Sequence, residues 1–215
     1  MQVLQGGKNI QFINCLPNFR IYGGGEDILV QNPKPDDESS IVFNGGMKNI
    51  VIRDCQNINE FIFKNGAFSN VSMINCKHPI VEFENVNLNN LLIKNSTVAH
   101  LTFDKSDVGG DNRIEDSTIW GNFYGKSKVR DLTIVNCTFE DYVDIVVSEL
   151  IRLRLVNNTY KIQESGEYEG EVRHRIKEAK YTDSDKFPLK STPFPEDTAY
   201  IKYLKELQEK ESQKK

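Results

Sequence analysis

From residue 61 to residue 108 the apolar positions are separated by two residues, then three, then two again. The leading positions are Phe61, Gly66, Val71, Cys76, Val81, Val86, Leu91, Ser96, Leu101 and Ser106. Two residues after each stand Phe63, Phe68, Met73, His78, Phe83, Leu88, Ile93, Val98, Phe103 and Val108, with His78 the one clear break. An α-helix repeats its apolar face every 3.6 residues and a half-buried strand every 2, so neither sustains a five-residue repeat. The spacing fits short extended sides with a corner every five residues. Asn65, Asn75, Asn85 and Asn95 recur at the corner, with Asn70 and Asn90 between them. Asparagine enters the left-handed backbone region more readily than most residues, which suits a tight corner.

A longer period lies over the first. Phe43, Phe63, Phe83, Phe103 and Phe123 are each 20 residues apart, and the small residues Cys55, Cys76, Ser96, Ser117 and Cys137 step by 21, 20, 21 and 20. One coil therefore takes about 20 residues, and stacked coils set the phenylalanines above one another at a parallel-strand spacing of roughly 4.8 Å. Single extra residues are expected near Asn57 and at Gly109-Gly110, where a corner can bulge. The expected fold class is all-β: a right-handed parallel β-helix over residues 1–160, followed by a partly helical extension over 161–215.

All four cysteines close the same phrase: NIQFINC ends at Cys15, NIVIRDC at Cys55, NVSMINC at Cys76 and DLTIVNC at Cys137. One repeated slot points to a small core position shared with serine and glycine, not to chemistry. No C-x₂-C pair is present to hold zinc, and a Cys55–Cys76 disulfide would be strained in a parallel ladder. No cofactor motif is read in the chain.

The run 61–108 resembles the pentapeptide-repeat family, whose members are quadrilateral right-handed β-helices with four five-residue faces per coil. FENVNL (83–88) and FDKSDV (103–108) look like one variety of that repeat, and TIVNCTF (133–139) shares its ending. The likeness extends loosely over 41–60 and 114–156. The chain departs from the family in rarely placing Ala in the small slot and in carrying large residues there. That departure pulls toward wider right-handed parallel β-helices. The resemblance also implies a DNA-mimicking function, because some members inhibit DNA gyrase as acidic rods that dimerise through a C-terminal element.

Outside the regular run, NIQFINC and ILVQN read as coil strands, interrupted by Gly23-Gly24-Gly25, and PKPDDESS (33–40) reads as a polar loop. The corner pattern stops after LRLVNNTY (153–160). A short helix is expected within 167–183, with Tyr168, Val172, Ile176 and Ala179 on one side. After a proline-bearing linker, a second helix is expected, with Tyr200, Tyr203, Leu204 and Leu207 on one stripe. That stripe is read either as a cap on the open solenoid end or as a docking surface for a protein partner.

Charge and chemistry change this picture little. The net charge of −4 over 215 residues is too small for a duplex mimic and shows no basic stripe for nucleic acid. No signal peptide or apolar span is read, so the chain is expected in the cytoplasm or inside a host cell, with virion association compatible. Acidic residues gather at Asp104, Asp107, Asp111, Glu115 and Asp116. Lys64, Glu84 and Asp104 fall one per coil on an outward column, where two carboxylates could serve as an acid–base pair on a sugar. A solvated charge ladder is the plainer reading. His78, His100 and His174 have no partner at a readable spacing. The expectation is a non-enzymatic scaffold that binds protein through its tail, with homo-oligomerisation compatible. A DNA-mimicking inhibitor and a carbohydrate-binding or carbohydrate-cleaving β-helix are the alternatives.

Overall fold

The computed structural model describes residues 2–34, 39–56, 58–77, 79–120, 123–124, 127–140, 144–146, 149–160, 173–174 and 179–181. They form a parallel β-solenoid. The strands Glu60–Ile74 and Ile80–Lys94 each run through two corners without a break. They pair in one register from Glu60↔Ile80 to Ile74↔Lys94. Each coil has three longer sides, exemplified by 60–64, 66–69 and 71–74. A short fourth side forms its own sheet from Thr97–Val98, Thr118–Ile119, Thr138–Phe139 and Thr159–Tyr160.

The corners are made by left-handed residues, as the asparagine spacing predicts. Between the third and fourth sides stand Asn14, Asn32, Asp54, Asn75, Asn95, Asp116, Asn136 and Asn157, all with φ between +46° and +57°. Their side chains also bridge the coils. The Nδ2 of Asn32 donates to Asn14 Oδ1 at 2.7 Å, Asn75 to Asp54 at 2.8 Å, Asn136 to Asp116 at 3.1 Å and Asn157 to Asn136 at 2.9 Å. A second column links Asn49 to Asp27, Asn70 to Asn49 and Asn90 to Asn70 at 2.8–3.0 Å. Asn65 and Asn85 belong to a third, so the ten-residue recurrence in the sequence is two columns seen alternately.

Lys105 continues this third column with φ +51°, where the coil below has Asn85. A lysine there bears the left-handed strain and has no amide to donate downward. Lys105→Asn is therefore expected to raise stability by about 1 kcal/mol, read as a higher urea midpoint at unchanged slope. A lower midpoint would mean that the Lys105 ion pair with Asp104, at 3.5 Å, outweighs the strain.

Inward residues fill the coil in layers. Phe43, Phe63, Phe83 and Phe103 stack with centroids 4.8, 4.6 and 5.3 Å apart and rings within 14° of parallel. Phe123 does not continue this ladder. It pairs with Leu101, not Phe103. The offset between coils is 21 at Thr97↔Thr118 and Val98↔Ile119, becomes 22 at Leu101↔Phe123 and returns to 21 at Asp107↔Lys128. One residue enters before Phe123 and one is lost after Tyr124, so an unbroken 20-residue spacing in sequence does not give a shared column.

The two extra residues expected elsewhere are in place. The offset falls from 21 at Gln56↔Lys77 to 20 at Glu60↔Ile80, which locates one between Gln56 and Glu60. It rises from 20 at Asn89↔Gly109 to 21 at Leu92↔Arg113, which locates the other at the Gly109-Gly110 corner. The first coils are irregular. Gln2 pairs with Phe19, 17 residues on, and Lys8 with Glu26, 18 on, whereas Phe19 pairs with Ile41, 22 on.

The small slot has a second property. Its residue follows a left-handed corner, and its backbone N–H is taken by a side chain of the coil above. Cys76 donates to Ser96 Oγ at 3.1 Å, Ser96 to Ser117 Oγ at 3.1 Å, Val86 to Ser106 Oγ at 3.3 Å and Ser106 to Ser127 Oγ at 2.9 Å. Asparagine does the same where Leu91 donates to Asn112 Oδ1 at 3.1 Å and Cys137 to Asn158 Oδ1 at 2.9 Å. Serine or asparagine in the slot accepts that bond; Val86 and Leu91 in the same slots have no atom to do so. Gly66 is the exception by size: a Cβ there would lie 2.4 Å from the Gly46 nitrogen.

Pairing continues beyond residue 160. Arg173–His174 pairs with Asp144–Val146, and Ala179–Tyr181 with Glu149–Val156. The described residues of the expected 167–183 helix are thus extended, and Ala179 lies opposite Leu150. The open edge of the last coil offers backbone partners that outweigh a weak helical pattern. By contacts the chain divides into two compact units, Met1–Asp185 and Lys186–Lys215. No helix among the described residues is long and apolar enough to cross a membrane.

Candidate functional site

The residues singled out for chemistry sit on outward positions, where strand alternation sends them. Lys64, Glu84 and Asp104 occupy one column, registered Lys64↔Glu84↔Asp104. Lys64 Nζ is 2.6 Å from Glu84 Oε2, so the ammonium is committed to the first of the two carboxylates. Asp104 has Lys105 at 3.5 Å. Beside them on the same side, Glu82 has its carboxyl pushed above the ordinary range by burial, then by the charges of Glu60 and Glu84.

The acidic run from Asp104 to Asp116 is not one face. Those residues travel around the coil: Asp104 ends the first side, Asp107 opens the second, Asp111 lies at the bulged corner, Glu115 ends the third side and Asp116 turns the next corner. Cations from neighbouring positions meet them. Arg130 Nη2 is 2.7 Å from Asp107 Oδ2. Lys94 Nζ is 3.2 Å from Glu115 Oε2 and 3.8 Å from Asp116 Oδ2. Arg113 Nε donates to Glu115 Oε1 at 2.6 Å. Partial desolvation opposes ionisation of Glu115, but these hydrogen bonds outweigh it and hold the carboxyl below its usual range.

The cysteines are core residues. Cys55, Cys76 and Cys137 are buried, Cys15 in the first coil is half-buried, and all four are free thiols. Burial pushes the Cys137 thiol up to about 11. The Cys76 side chain and burial both push Cys55 up. With their pKa raised, the Cys55 and Cys137 thiols are poor nucleophiles at neutral pH. Among the described residues no group of three His, Cys, Asp or Glu is placed to hold a metal. His78 lies outside the described residues, as do Tyr200, Tyr203, Leu204 and Leu207 of the expected docking helix.

The sequence reading missed an outward column. Thr97, Thr118, Thr138 and Thr159 are in register on the fourth side, two residues past the corner residues Asn95, Asp116, Asn136 and Asn157. Hydroxyls and amides therefore line that flank. The signal lay in the small-slot phrase itself, which is followed by Thr in S-T (96–97, 117–118) and C-T (137–138). Comparison with known protein families, with curated proteins and with solved structures found no match to any of them.

Proposed function

We propose that the protein is a non-enzymatic β-solenoid scaffold that binds another protein, with residues 161–215 as the docking segment and Tyr200, Tyr203, Leu204 and Leu207 as its contact stripe. The observation that carries this reading is the state of the outward charges. Lys64–Glu84, Arg130–Asp107 and Lys94–Glu115 are matched across coils. A carboxylate held by a neighbouring ammonium is a surface group, not a poised acid or base. The matching also disfavours the duplex mimic, which needs unpaired negative charge along one face. Three left-handed corners and the bend at Ala99 divide the coil into four sides, which favours the quadrilateral, pentapeptide-repeat-like form. A stiff rod of this kind suits particle assembly or an effector role.

The test keeps the full chain. Wild type and the double variant Leu204→Asp, Leu207→Asp are compared by affinity capture from host lysate and mass spectrometry, with melting measured in parallel. The expected result is a protein held by wild type and lost by the variant at unchanged melting temperature. Equal retention would move the contact to the rod. Retention of a topoisomerase, abolished by reversing Asp104, Asp107 and Asp111 to Lys, would establish the mimic instead. Turnover of a polysaccharide that disappears in Glu84→Gln or Asp104→Asn would establish the glycosidic reading.

A further inference from the structure

Two of the buried thiols face each other across a coil boundary. The pairings Arg53↔Ile74 and Gln56↔Lys77 flank Cys55 and Cys76 and hold them in register on adjacent coils. Both are buried and free. No other two cysteines stand this way. The slot beside Cys15 in the next coil is Pro33, and Cys137 lies between Ser117 and Asn158. Register at the parallel-strand spacing sets the Cys55 and Cys76 Cα atoms about 4.8 Å apart, inside the roughly 4.4–6.8 Å that a disulfide spans. Cys76 Sγ also leans toward the coil of Cys55, 3.9 Å from the Ile52 carbonyl oxygen. The two thiols act on each other. A hydrogen bond from the Cys55 side chain lowers the pKa of Cys76, and the same bond raises that of Cys55. Cys76 is thereby the sulfur that more readily becomes a thiolate, the reactive form.

We infer that Cys55 and Cys76 form a redox pair, closed to a coil-to-coil disulfide by a peroxide and reopened by thiol reductants. Cys76 Sγ attacks one peroxide oxygen and the O–O bond breaks. This gives a sulfenic acid and a hydroxide, which takes the Cys76 proton and leaves as water. Cys55 Sγ then forms the S–S bond as the S–O bond breaks, and its proton leaves with the sulfenic hydroxyl as a second water. Two thiols are oxidised and one peroxide is reduced. Reopening follows from strain. In-register parallel side chains keep their Cβ atoms about as far apart as the strands, beyond the roughly 3.5–4.5 Å that a disulfide prefers. Closure therefore works against the ladders, and a strained disulfide is a labile one. The backbone beside the pair offers the way in. Gln56↔Lys77 is an isolated bridge, and the offset between coils changes from 21 there to 20 at Glu60↔Ile80. Local opening at such a break admits an oxidant little larger than water.

The test treats the folded full-length chain with excess hydrogen peroxide. Remaining thiols are then alkylated in denaturant, and peptides are mapped by mass spectrometry without reduction. The expected result is one intramolecular Cys55–Cys76 link. These two thiols should be lost at least tenfold faster than Cys137, which is buried in the same slot, and dithiothreitol should recover them. Oxidation through global unfolding would expose all the thiols alike, so equal loss of Cys137 overturns the inference. So does a chain in which Cys55 and Cys76 stay free, or one in which either links to Cys15. The order of steps is read in Cys55→Ser, with circular dichroism melting as the check on folding. Its Cys76 sulfenic acid has no partner thiol and should be trapped by dimedone. A folded Cys55→Ser chain with no trapped Cys76 would mean that peroxide does not react there, and the redox pair falls with it.

Discussion

Phe83→Ala is expected to cost about 3–5 kcal/mol of stability, the range for deleting a buried aromatic from a core that cannot fully collapse. Phe83 is inaccessible and lies between Phe63, at 4.6 Å, and Phe103, at 5.3 Å. The loss is more than transferred area. Two neighbouring rings each lose a stacked face, and the backbone cannot close over the gap because the coils above and below are held at strand spacing by their own ladders. Urea unfolding at constant slope reads the effect. The comparison that gives it meaning is Cys76→Ser, expected to stay within about 1 kcal/mol of wild type. Serine keeps a donor for the Ile74 carbonyl, which the Cys76 thiol meets at 3.5 Å, and serine already fills the same slot at Ser96 and Ser117. Equal costs for the two substitutions would mean that the ring stack is not the core of the coil.

The five-residue spacing made the solenoid legible because two constraints act at every corner. The side chain must turn inward at the right interval, and the backbone must enter the left-handed region, which asparagine and aspartate tolerate. Both leave a mark in the sequence. Register leaves a weaker one. Phe123 keeps the 20-residue interval yet pairs with Leu101, because a residue gained before it and another lost after it cancel in the chain count but not in space. The acidic run spreads around the coil for a related reason: residues from 104 to 116 are neighbours in sequence, but that length of chain passes three corners. The cross-coil ion pairs were partly legible, since Lys64 and Glu84 are 20 apart. Arg130 and Asp107 are 23 apart, and long side chains cross the register there, so no fixed interval announces them. The strand at Ala179–Tyr181 was unreadable because its partner is the last coil's open edge, a demand set by tertiary structure and not by local pattern.

The least legible element is also a structural linchpin. Asn112 stands where the coils below and above have Leu91 and Leu132, and it is 1% exposed. In the sequence it follows two glycines and an aspartate, with nothing to mark it as a core position. In the structure its amide holds the bulge closed: Oδ1 accepts from the Leu91 N–H at 3.1 Å, and Nδ2 donates to the carbonyls of Gly109 at 3.0 Å and Asp131 at 2.8 Å. Gly110 supplies the turn itself with φ +74°. Asn112→Leu would match the apolar column yet leave a buried N–H and two carbonyls without that partner, so a loss of about 3 kcal/mol or more is expected. Asn112→Asp separates this account from simple size. The introduced carboxylate still accepts from Leu91, but it faces two carbonyl oxygens in a dry site, which raises its folded-state pKa above the unfolded value of about 3.9. A raised pKa means the protonated form is favoured in the fold: stability is retained below the unfolded pKa and lost as pH rises through the folded one. The deficit of Asn112→Asp against wild type should therefore be large near pH 7 and shrink toward about pH 3.5, while the deficit of Asn112→Leu stays constant. An Asn112→Asp deficit that does not change with pH would mean that water reaches the bulge and that the amide is not what closes it.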